Sequence, residues 1–155
     1  MKTFDELLID LHACEEAKAW AQGMTIEQVV ASVERGDWLL GLAKKIDIPK
    51  RPLTLAKARC AKTVIHLMKD ERSINAVNLA EEYGLSDEVS EDDLRKAAAD
   101  AADAATYAAY AAYAAYAAAA AYADALSKNQ LQTAEICREV LGKMIIARVN
   151  ELLTN

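Results

Sequence analysis

The chain is poor in the residues that most often carry chemistry or crosslinks: two histidines, three cysteines and a single phenylalanine in 155 residues. Cys14, Cys60 and Cys137 are odd in number, widely spaced and never in a Cys-x-x-Cys pair. That excludes a disulfide framework and points to a reduced, cytoplasmic protein. Ile9 and Thr63 stand three residues before His12 and His66, so the Glu-x-x-His motif by which helix bundles hold paired metals is absent. His12 and Glu16 lie one turn apart, but two ligands make no metal site. His12 and Cys14, two residues apart, fall on nearly opposite sides of a helix and form no local nucleophile dyad. The glycines are too scattered for a dinucleotide loop. Gly36 and Gly41 have phosphate-loop spacing, yet Leu42 stands where the lysine belongs and no strand precedes them. With no catalytic constellation, no metal and no cofactor site in view, a non-enzymatic protein is expected.

Two further absences bear on location and fold. The N-terminus enters an amphipathic pattern directly after Met1-Lys2-Thr3, without the apolar core of a secretion signal. No segment of strand length alternates with period two, so little or no sheet is expected.

What is abundant is alanine. From Lys96 to Leu126 the chain is mostly alanine punctuated by Tyr107, Tyr110, Tyr113, Tyr116 and Tyr122, with no glycine or proline between Ser90 and Leu126. Alanine is the strongest intrinsic helix former, so a long helix over 91–126 is predicted. At about 100° per residue, rings spaced by three are each rotated by about 60° and spiral around the axis. Rings on most of the circumference suit a helix surrounded by others, the central mast of an all-α, single-domain bundle. The tyrosines then serve as core spacers, or as exposed rings for a partner or a second copy. Asp100, Asp103 and Asp124 interrupt the run and argue against a membrane span. Because the hydrophobic excess is alanine, close approach of thin helices should build much of the core.

Helix signals frame the rest of the bundle. Thr3 with Glu6 and Thr25 with Gln28 are capping boxes, Gly23 suits a left-handed cap, and Asp37 is placed to cap a further helix. Short helices are predicted over 3–46, the first running to about Gln22, then a linker at 47–52 around Pro49 and Pro52. A helix over 53–69, a shorter one over 74–83 and a C-terminal helix over 130–153 complete the set. Ser90 with Asp93 opens the alanine helix. Its end is placed at Ser127-Lys128-Asn129, because a helix running on to Leu153 would be on the order of 90 Å long, too long for a domain of this size.

Charge is segregated. The net charge of −6 argues against direct nucleic-acid binding. Lys44 to Lys69 is almost all basic, whereas Asp70 to Asp103 is strongly acidic. Two solvated faces that attract one another account for such blocks. A docking surface is the sharper reading, with Glu88, Glu91, Asp92 and Asp93 as partner-binding residues. A second reading places an anionic, nucleotide-type ligand on Arg35, Arg51, Lys57, Arg59 and Lys62.

Four stretches, in order, carry a resemblance: Cys14-Glu15-Glu16-Ala17-Lys18-Ala19-Trp20, Glu34-Arg35-Gly36-Asp37-Trp38-Leu39-Leu40, Arg59-Cys60-Ala61-Lys62-Thr63-Val64-Ile65-His66-Leu67, and the alanine-tyrosine helix. Together they resemble the immunity-five-like family of immunity proteins found in bacteria and their phages. The resemblance covers most of the chain. It implies a protein inhibitor of a toxin and transfers no catalytic residue. Where similar proteins often carry a further large aromatic after Asp-Trp-Leu-Leu, this chain has Gly41. Glu15, Glu16, Arg35 and Asp37 are expected to form an ion-pair cluster, a structural corner with Trp38, that fixes how the short helices meet the mast. Trp20 and Trp38 are expected as core anchors.

The leading expectation is thus a non-enzymatic, cytoplasmic binding protein that neutralises a partner protein, either a toxin or a host defence effector met by a phage inhibitor. The alternatives are a binder that sequesters an anionic nucleotide-type ligand and a structural helical module that forms homo-oligomers through its tyrosines.

Overall fold

Side-chain caps set where several helices begin. The computed structural model describes residues 2–99 and 119–154, with side chains over 2–99 and 127–154. It is all-α, with no strand among the described residues. The order is α1 (Phe4–Asp10), α2 (Glu15–Ala21), α3 (Ile26–Ser32), α4 (Gly36–Lys45), α5 (Lys50–Lys62), a 3-10 turn at Ile65–Leu67, α6 (Glu71–Leu85), α7 over 91–99 and α8 (Ala119–Thr154). Both threonine capping boxes form, at Thr3–Glu6 and Thr25–Gln28. Ser90 and Asp93 exchange the same reciprocal bonds at the start of α7.

Several expected boundaries move. The first helix does not run to Gln22 but breaks after Asp10, where His12 takes φ 50°. The N–H of Ala13 bonds Leu8 O and that of His12 bonds Ile9 O, the double bond of a Schellman turn. Asp47, at φ 57°, closes α4 the same way, with Ile48 N–H on Ala43 O. Both turns use a non-glycine residue in the left-handed region, so neither carries the usual sequence mark. The linker is shorter than 47–52, because Pro52 sits in the first turn of α5, where N–H groups have no intrahelical acceptor. The same helix stops at Lys62 rather than 69, at the β-branched run Thr63-Val64-Ile65. Asp70 caps α6 by accepting from Arg72 N–H, and this helix continues past residue 83 to Leu85.

The largest correction concerns the C-terminal helix. No break occurs at 127–129, since α8 is continuous from Ala119 to Thr154, about 54 Å at about 1.5 Å per residue. Nothing at Ser127-Lys128-Asn129 removes a backbone donor, and Asn129 gains a tertiary partner by donating from Nδ2 to Thr63 Oγ1 at 2.8 Å. Residues 100–118 of the expected alanine helix lie outside the described residues, as do Tyr107, Tyr110, Tyr113, Tyr116 and the Tyr122 side chain. Among the described residues the helix that others surround is α8. Its Ala134, Cys137, Leu141, Ile145 and Val149 recur every three or four residues and are at most 1 % exposed. Against this stripe pack α1, α3, α4 and α5, while α6 rests chiefly on α5.

Among the described residues the core is more aliphatic than alanine-built. Ile26, Val33, Leu39 and Ile46 meet Leu141, Ile145 and Val149, each such side chain contributing roughly 1.5–3 kcal/mol when fully buried. Close approach matters at two glycines. A Cβ on Gly36 would lie 2.6 Å from the Thr133 backbone of α8, and one on Gly84 would lie 2.5 Å from Leu55 Cβ of α5. Cations from neighbouring helices satisfy helix C-termini. Arg138 donates to Val30 O and Val33 O of α3 at 2.6 and 2.7 Å, and Arg148 donates to Ile46 O of α4 at 3.3 Å. Lys45 donates to Leu11 O and His12 O after α1, and Arg51 to Tyr83 O and Ser86 O of α6.

Candidate functional site

The corner predicted around Arg35 and Asp37 is a bidentate ion pair. Arg35 caps α4 by position, and its guanidinium donates from Nε to Asp37 Oδ1 at 3.0 Å and from Nη2 to Oδ2 at 2.6 Å. Its third arm reaches Glu16 Oε2 of α2 at 3.3 Å. The Arg35 bond holds the Asp37 carboxyl below the usual carboxylate range, and Asp37 in turn raises the guanidinium. Asp37 therefore lies in the first turn of α4 and not at its cap. Glu15 does not join the cluster. One residue around α2 from Glu16, it faces away and pairs with Lys18 at 2.5 Å.

Arg35 also lies 4.8 Å over the Trp38 ring, and Trp38 meets Trp20 edge-on with centroids 5.8 Å apart. Each indole is half-buried against the core, so they hinge α2 to α4. Beneath them opens an apolar cleft of about 330 Å³ between α1, α2 and α4. Leu8, Leu11, Ala17, Trp20, Trp38 and Leu42 form its walls, with Cys14, Asp37, Gly41 and Lys45 also lining it. A smaller cleft of about 260 Å³ on the far side of the tryptophans is lined by Arg35, Glu34, Gln130 and Leu131.

The acidic residues expected to bind a partner divide into two kinds. Glu91 is paired with Lys50 of α5, which lowers its carboxyl, and Asp93 is lowered by its bonds to Ser90 at the α7 cap. These two serve the fold. Glu88 is exposed, and Asp92 is exposed beside Arg95 at 2.7 Å. Asp87, 97 % exposed, meets Arg51 at 3.3 Å, and Leu85 just before it is 60 % exposed.

The five basic residues do not converge on one pocket. Arg35 is held at its own corner. Arg51 stacks on the Tyr83 ring at 4.4 Å while it caps α6. Arg59 and Lys62 both face Glu81, at 3.7 Å for the Arg59 pair. Lys57 is exposed. The basic block thus meets the acidic block at Glu81 of α6, at Asp87 and at Glu91.

Cys14 and His66 are exposed, and Cys60 lies against Cys137, with Sγ atoms 3.7 Å apart. The Cys60 sulfur and burial together push the Cys137 thiol up, so it stays protonated. Among the described residues no group of three His, Cys, Asp or Glu could hold a metal, and no helix is long and apolar enough to cross a membrane. Sequence reasoning missed the apolar cleft, for which Gly41 inside a helix is the one sequence-level sign. It also missed Lys45 and Glu81, which depend on tertiary neighbours. No protein-family model, curated protein or solved structure matches this chain.

Proposed function

We propose that this protein is a non-enzymatic binding protein that neutralises a partner protein in the cytoplasm, a bacterial toxin or a host defence effector, and meets it through the turn joining α6 to α7. The observation that supports this reading is Leu85, exposed in a stretch whose neighbours Asp87, Glu88 and Asp92 are also exposed. An apolar anchor with an acidic rim complements a basic surface that has a small apolar socket, and charge of one sign steers the encounter. The resemblance to immunity proteins supplies the partner class.

The test is affinity capture from host lysate, with and without phage infection, across a range of salt. Wild type should retain one discrete basic protein, and retention should fall as salt rises. Glu88→Lys with Asp92→Lys should release it, and Leu85→Asp should weaken it. Glu91 and Asp93 are left intact, because they hold Lys50 and the α7 cap. Equal capture by the charge-reversed protein, at unchanged thermal stability, would overturn the reading.

A further inference from the structure

We propose that the cleft between α1, α2 and α4 is a binding site for a small carboxylate with an apolar body, opened by Gly41 and oriented by Lys45. The argument starts from Gly41. A glycine inside a helix weakens it relative to alanine, and such a residue is usually explained by a left-handed backbone or by a close neighbour. Gly41 has neither: it is helical, and a Cβ built on it meets nothing within 4 Å among the described residues, whereas Gly36 and Gly84 are both pressed against another helix. Gly41 is exposed and also lines the cleft, so the room left by its missing side chain adjoins that cleft.

The cleft behind it has the chemistry of a small-ligand pocket. Its volume of about 330 Å³ lies at the lower end of the usual range, and its walls are aliphatic and aromatic. The charge at its rim is unbalanced. Among the described residues two charged side chains line the cleft, Asp37 and Lys45. Both carboxylate oxygens of Asp37 already accept from Arg35. Lys45 donates to Leu11 O and His12 O, neutral carbonyls, and no carboxylate pairs with it among the described residues. An ammonium has three protons, so one remains for an anion. A carboxylate on Lys45 with its apolar body against Trp20, Trp38 and Leu42 satisfies both features.

The experiment uses octanoate and its neutral counterpart octanol as probes on the full chain, read by tryptophan fluorescence and by thermal shift. Octanoate should perturb Trp20 and Trp38 emission saturably and raise the melting temperature, and octanol should bind about tenfold more weakly, the loss expected for one charge-assisted bond. Lys45→Met should bring octanoate down to the octanol level, and Lys45→Arg should restore it. Gly41→Leu should fill the mouth, abolish binding of both probes and leave the unliganded protein at least as heat-stable as wild type. The proposal is overturned if octanoate leaves the wild-type fluorescence unchanged, if a folded Gly41→Leu protein binds it as wild type does, or if octanol binds as tightly as octanoate. The α6–α7 turn is untouched by these variants, so failure here leaves the partner-docking reading standing.

Discussion

The two ends of the molecule are held together by different forces. Around the C-terminal part of α8, aliphatic side chains from α3, α4 and α8 are almost wholly buried. In the α5–α6 arm only Ala56, Ala58 and Tyr83 are buried, and the contact relies on Glu81 with Lys62 and Arg59, and on Arg51 over Tyr83. The first region should be insensitive to salt and intolerant of volume change. The second should tolerate repacking and respond to charge.

The comparison breaks most severely at the core. Leu141→Ala should cost about 2–5 kcal/mol in urea unfolding, against about 1 kcal/mol or less for Leu79→Ala on the half-buried face of α6. Next come the close approaches. Gly36→Ala forces a Cβ into the Thr133 backbone, and the expected loss is about 1–3 kcal/mol, with the α4–α8 separation widened in a crystal structure. On the ionic arm, Arg51→Lys should lose the paired carbonyl bonds and the stacking on Tyr83. Melting should fall by an amount equivalent to about 1–2 kcal/mol, and amide exchange should rise first in the last turn of α6.

The smallest effect is at the corner. The Asp37 carboxyl is depressed in the folded state, so its contribution is present at neutral pH and lost as pH falls below about 3.9, the unfolded value, through the lower folded one. Asp37→Asn should destabilise by about 1 kcal/mol or less at neutral pH, because the carboxylate is more than half exposed, and the difference from wild type should close below that window.

Local signals made much of this legible. Thr3, Thr25 and Ser90 marked helix starts correctly because a cap needs only residues three positions away, and the Arg35–Asp37 pair is a two-residue contact. His12 and Asp47 escaped because Schellman turns at non-glycine residues depend on what the following residue packs against. The expected break at 127–129 failed because polar residues do not end a helix whose flanks are held by Thr63 and by the core. Glu15 was grouped with Glu16 because sequence adjacency hides a rotation of about 100° around the helix.

By itself the sequence determined an all-helical chain with segregated charge and a distinctive Arg-Gly-Asp-Trp corner, since periodicity, caps and pairings within one turn are local. Only the tertiary structure decided that α8 is the helix the others surround among the described residues, that Arg59 and Lys62 face Glu81 while Arg51 holds the end of α6, and that Gly41 lines the cleft. Each of those depends on which residues distant in the chain meet, and burial and charge pairing are properties of the assembled bundle.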